Sequence, residues 1–214
     1  NFNQRRSIGE GQTDRNNLFG SPLTNVFQTA HSVNNGFFAM GRGGIDWFIT
    51  NRNTLTLAAS YNRGQFNLDD DQNILTDTLL STVRRGTSLR NTDNTRNFNN
   101  LGSQLLFKHL FPKEGKEWTA DINYNASKSD NEGLFNTTYL SSSLENRQKQ
   151  IGDNNNNFFT AQTDFVNPLT ANVKIEFGAR AAVRDFQSEN SNFQYNFGND
   201  TYEQVSGFAD RYKF

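Results

Sequence analysis

Few side chains in this sequence are equipped for chemistry. There are two histidines, His31 and His109, and no cysteine. That excludes a thiol nucleophile, a thiolate metal site and a disulfide framework. His109 falls on the apolar side of an alternating stretch, close to a turn, which suits an interfacial ring better than a general base. No serine is placed to pair with it as a nucleophile, so no catalysis is expected. Asp69-Asp70-Asp71 has the hard oxygen donors that suit Ca²⁺, but the flanks lack EF-hand spacing and a solvated loop tip is the simpler reading. Neither a metal nor a cofactor is expected.

A larger set of charges carries more information. Arg42, Asp46, Lys108, Glu117, Asp121, Asp164, Lys174, Glu176, Arg180 and Arg184 recur at alternate positions of five segments. Charges of both signs on one wall can pair across strands, or can face a solute or a second domain. The four nearest the predicted turns, Glu117, Asp164, Lys174 and Glu176, are the candidates for contact with such a domain.

Those positions are fixed by elements with a side-chain period of two. In Glu117–Ala126, Trp118, Ala120, Ile122, Tyr124 and Ala126 share one face, while Glu117, Thr119, Asp121, Asn123 and Asn125 share the other. That is a strand with one apolar and one polar wall. Its predecessor sets Leu101, Leu105, Phe107 and Phe111 against Asn100, Gln104 and Lys108, and Pro112-Lys113-Glu114-Gly115-Lys116 makes the turn between them. Gly36 to Thr50 and Thr54 to Gly64 form a similar hairpin about Asn51-Arg52-Asn53. Phe159 to Phe165 and Val173 to Val183 form a third, turning across Asn167 to Asn172. Each arm has about the ten residues that a tilted strand needs to cross hydrocarbon.

Connection lengths decide the class. Short turns alternate with long polar excursions, the habit of outer-membrane barrels. A soluble sandwich also alternates its faces, but does not alternate five-residue turns with thirty-residue loops. The mean hydropathy of −0.79 does not oppose a barrel, because half of each strand and all of the loops are polar. A formal charge of −1 argues against nucleic acid as a partner. The expected architecture is all-β, an antiparallel transmembrane β-barrel segment. Residues 1–35 are read as an external loop with a strand extension, and 36–186 as three transmembrane hairpins with long external loops 65–96 and 127–156. Residues 187–214 are read as an external loop and the start of a next strand. About six strands are visible, fewer than the eight of the smallest closed barrel, so an internal piece of a larger barrel is expected. No basic start with an apolar core opens the chain.

GRGGIDWFITNRNTLTLAASYN (Gly41 to Asn62), LLFKHLFPKEGKEWTADINYNAS (Leu105 to Ser127) and QTDFVNPLTANVKIEFGAR (Gln162 to Arg180) resemble TonB-dependent outer-membrane receptors, in the branch whose barrel forms an outer-membrane β-barrel family. The similarity covers most of residues 36 to 186 and is strongest at the turns. It implies a barrel of about 22 strands, filled by a plug domain of the same protein. It also implies import of a scarce nutrient energised by the TonB complex. Outer-membrane lipid is the expected surround. The competing readings are a passive pore or structural barrel with partners in an envelope complex, and a soluble adhesin-like β module.

Overall fold

The computed structural model describes residues 1–19, 21–79, 85–205 and 210–213. Every regular element among them is a strand: β1 (Phe2–Asn17), β2 (Thr24–Thr50), β3 (Asn53–Thr78), β4 (Arg85–Leu110), β5 (Glu117–Tyr139), β6 (Leu144–Thr170), β7 (Val173–Asn196), β8 (Thr201–Gln204) and β9 (Asp210–Lys213). They form one antiparallel sheet in chain order from β1 to β8, with β9 also paired to β7. Among the described residues β1 pairs only with β2, so the sheet they form is open.

All six expected strands are present, as parts of β2 to β7, and each is far longer than its alternating stretch. The segments 65–96 and 127–156, expected as long external loops, are mainly strand. β3 and β4 stay paired from Asn53↔His109 out to Asp77↔Arg85. β5 and β6 stay paired out to Tyr139↔Leu144, leaving residues 140–143 as the connection. Residues 1–35 likewise hold β1 and the first part of β2, and only 18–23 connect them. In 187–214, β7 runs on to Asn196 before the short β8 and β9. A strand of 27 residues such as β2 is about 90 Å long at 3.3 Å per residue, so some two thirds of it extends past any hydrocarbon layer.

Side-chain amides help to hold these extensions. Asn91 Nδ2 donates to Asp71 Oδ1 at 3.0 Å, Asn97 to Asp130 Oδ2 at 2.9 Å, and Asn100 to Asn62 Oδ1 at 2.7 Å. Ser188 Oγ donates to Asn154 Oδ1 at 2.6 Å. Asn and Asp disfavour strands by propensity, yet cross-strand pairs and a continuous backbone ladder override that preference.

The short turns are built as their residues dictate. Thr50 Oγ1 accepts from the backbone N–H of Arg52 and Asn53, at 3.2 and 3.1 Å, which closes the first. Gly115 takes a φ of 71° in the second, where the Phe111 N–H reaches the Lys116 carbonyl at 3.0 Å. The third is tighter than its sequence suggests. Pro168 lies inside β6, and the turn is only Ala171-Asn172. A register shift between Pro168 and Thr170 accommodates a residue that has no N–H to give to the ladder.

One register runs through all six belt strands. Ile45, Leu57, Leu105, Ile122, Ala161 and Ala181 are successive neighbours, as are Trp47, Leu55, Phe107, Ala120, Thr163 and Ala179. A single apolar band results. Among the described residues no apolar side chain is buried, and Ile45, Trp47, Leu57, Phe177 and Val183 are more than half exposed. In water a one-layer sheet with such a face would lack the burial that drives folding. Hydrocarbon is the medium that suits it.

Candidate functional site

The face opposite that band carries every one of the ten charged positions singled out above. Asp46, Thr56, Leu106, Asp121, Gln162 and Arg180 make one cross-strand row. Arg42, Ser60, Gly102, Asn125, Phe158 and Arg184 make another, four residues further along each strand.

Most of these charges are tied down within the wall. Lys108 Nζ lies 2.7 Å from Glu117 Oε2, and Lys174 Nζ lies 2.5 Å from Glu176 Oε1. Asp46 Oδ1 accepts from Thr56 Oγ1 at 2.6 Å, Asp164 Oδ2 accepts from Gln162 at 2.7 Å, and Asp121 accepts from Asn123. Arg184 Nε donates to Asn156 Oδ1 at 2.7 Å, with its guanidinium 5.2 Å from the Phe186 ring centre. Arg42 and Arg180 have no ion-pair or hydrogen-bond partner among the described residues. The turn-proximal Glu117, Asp164, Lys174 and Glu176 are therefore engaged with wall neighbours, whereas Arg42 and Arg180 are open to other contacts.

The remaining sequence candidates resolve simply. His109 sits on the apolar face, its Nδ1 2.7 Å from Asn53 Oδ1 and its ring edge-on to Phe111 at 4.4 Å. His31 is 3.9 Å from Glu10. The aspartate run lies in β3, so alternation splits it: Asn91 bridges Asp69 and Asp71 on one face, while Asp70 accepts from Gln72 at 2.6 Å on the other. Among the described residues no cluster of three acidic or histidine side chains could hold a metal.

Two features have no counterpart in the sequence reading. The first is aromatic and lies on the apolar face at the short-turn end. Phe111, Phe165 and Phe177 follow one another at 5.8 and 5.1 Å, Trp118 meets Phe107 at 5.6 Å, and Lys116 Nζ stands 4.6 Å from the Phe111 ring centre. Such rings beside a cation suit a headgroup boundary.

The second is a separation of charge in the strand extensions, visible only through the register. On the polar face beyond the belt stand Arg5, Arg15, Arg90 and Arg96, against Asp70 on the same seven strands. Glu203 of β8 shares that face, held below the ordinary carboxylate range by hydrogen bonds from Asn199 and Asn196. Most acids of the extensions take the other face, among them Asp69, Asp71, Asp93, Asp130, Glu132 and Asp153.

Residues 109–214 match the outer membrane protein beta-barrel family. That half of the chain is outer-membrane barrel wall. β2 and β3 share its register and its apolar band, so the described sheet is one wall, all-β and antiparallel, and its place is the bacterial outer membrane. No curated protein matches the chain. Among solved structures it is loosely similar to the ferric citrate transporter FecA in its unliganded form, at 9% identity and a TM-score of 0.24, covering 99% of this chain and 41% of that one. The ferric yersiniabactin uptake receptor FyuA from Yersinia pestis gives 13% identity, a TM-score of 0.21, and coverage of 99% and 43%. The outer membrane protease OmpT from Escherichia coli gives 8%, 0.16, and 99% and 92%. The chain thus spans less than half the length of the first two, and overlaps this weak carry no argument about function.

Proposed function

We propose that this barrel wall belongs to an importer that takes up a scarce nutrient through the outer membrane with energy supplied by TonB. The observation that carries the reading is the open sheet with a mixed-charge polar face. Seven long strands lie side by side without β1 approaching β7. At belt level the outer edges of β2 (Gly41–Thr50) and β7 are unpaired among the described residues, because β1 covers β2 only as far as Ala39. Bare edges in hydrocarbon leave several kcal/mol of unmet hydrogen bonding per group, so further strands must complete the ring.

A ring that includes these strands is wide, and a wide open lumen would pass solutes freely. A wall that carries charges of both signs is better suited to packing against a plug domain than to acting as a single-sign selectivity filter. Arg42 and Arg180 are the wall residues best placed for that plug or for a passing solute. No catalytic step is assigned to the chain. The test compares how cells with and without the intact protein deplete their medium, before and after a protonophore. Energised import predicts depletion that stops with the protonophore while solute retention at the cell surface persists. Depletion that continues unchanged would replace the importer with a passive pore.

A further inference from the structure

We propose that the polar face just beyond the membrane belt carries a docking platform for a flat aromatic anion, made by Phe38, Phe66 and Phe98 between Arg5 and Arg96. The proposal takes from the preceding reading only that this face lines the lumen.

Two glycines make the platform possible. Gly36 is the cross-strand neighbour of Phe66, and Gly64 that of Phe98. A Cβ on Gly36 would come within 2.2 Å of the Phe66 ring, and one on Gly64 within 2.5 Å of the Phe98 ring. Rings that close to a glycine lie over its backbone, so both are laid down on the sheet rather than standing out from it. Their planes differ by only 13° at a centre separation of 5.9 Å, and Phe38 joins Phe98 at 6.2 Å and 25°. The result is an aromatic pavement about three strands wide, with Phe66 still 38% exposed.

Charge selects the occupant. Arg5, Gly36, Phe66 and Arg96 form one row, so the two arginines flank the pavement about 14 Å apart at a strand spacing of 4.8 Å. Both are exposed, and neither has a side-chain hydrogen bond or ion pair among the described residues. The nearest acid on this face, Asp70, is four residues beyond Phe66 and already accepts from Gln72 at 2.6 Å. Unpaired guanidinium groups on both sides of a π surface suit a planar ring system with carboxylates at its ends.

The test uses the intact protein in detergent, with naphthalene-2,6-dicarboxylate as the probe in titration calorimetry. trans-Cyclohexane-1,4-dicarboxylate, of equal charge without a flat π face, is the control. The aromatic dianion should bind at least about tenfold tighter than the saturated one, and Arg5→Gln and Arg96→Gln should each weaken it by roughly tenfold. Both arginines are exposed, so these variants keep the fold. Phe98→Ala should lower affinity for the aromatic probe alone. Unchanged affinity in both arginine variants, equal affinity for the two probes, or no binding below about 1 mM overturns the platform and leaves the rings as covers for Gly36 and Gly64. Binding in detergent needs no energised membrane. A failed importer reading therefore leaves the platform standing, and a failed platform leaves the importer standing.

Discussion

Lys108 Nζ and Glu117 Oε2 meet at 2.7 Å across the β4–β5 hairpin, on the face opposite Phe107 and Trp118. The two side chains remain 42% and 33% exposed. A pair that accessible contributes little, roughly 0.2–1 kcal/mol after screening. Lys108→Ala should therefore lower folding stability in bilayers by less than about 1 kcal/mol. A larger loss in a denaturant titration would mean that the pair is shielded by another part of the protein, as a plug would do.

The opposite face should respond differently. Ile122 stands mid-belt between Leu105 and Ala161. Ile122→Arg places a cation in hydrocarbon and should cost about 2–4 kcal/mol, whereas Ile175→Arg, next to the short turn, should cost less. Ala182→Arg, in the polar-face row with Asn123 and Thr160, should cost clearly less than Ile122→Arg. Equal losses at Ile122 and Ala182 in the same titration would reverse the assignment of faces.

How much of this was legible follows from where alternation survives. Trp118 to Ala126 announces its strand because only one of its faces is apolar. Asn91-Thr92-Asp93-Asn94-Thr95-Arg96 is polar on both faces, so no period shows, yet it lies in β4, continuous with the alternating stretch from Asn100. Hydrocarbon ends before the ladder does, and the signal ends with it. Asp69-Asp70-Asp71 reads as one cluster until its strand sends the middle carboxylate to the far side. The platform had one faint signal, a glycine two residues before a phenylalanine, in Gly36-Phe37-Phe38 and again in Gly64-Gln65-Phe66. The excess of arginine on one face of the extensions and of acid on the other had none, since it depends on strand register.

Topology gives a further expectation. Epitope tags inserted at Ser142 should be labelled on intact cells, and tags at Lys113 or between Ala171 and Asn172 should be labelled only after the outer membrane is opened. Surface labelling at Lys113 would place the short turns outside.

The aromatic cluster locates one membrane boundary. Trp118 Nε1 donates to Thr163 Oγ1 at 2.6 Å beside Phe165. In a Trp47→Phe background Trp118 is the only tryptophan of these 214 residues. Phospholipids brominated near the headgroup should quench its fluorescence more than those brominated at the chain end. Stronger quenching from the chain end would move the boundary past the short turns.

The central claim is that alternate residues of one continuous wall meet lipid and water. None of these 214 residues is a cysteine, so single spin labels can be placed along this wall without a background from the wall itself. Labels at successive positions from Glu117 to Ala126 of the intact protein in bilayers should alternate. Even-numbered sites should be relaxed by oxygen dissolved in lipid, and odd-numbered sites by a water-soluble paramagnetic complex. The same phase should appear in β4, inverted in residue number, because Leu105 faces Ile122. Uniform accessibility along β5, or an alternation out of step with β4, would contradict the wall itself.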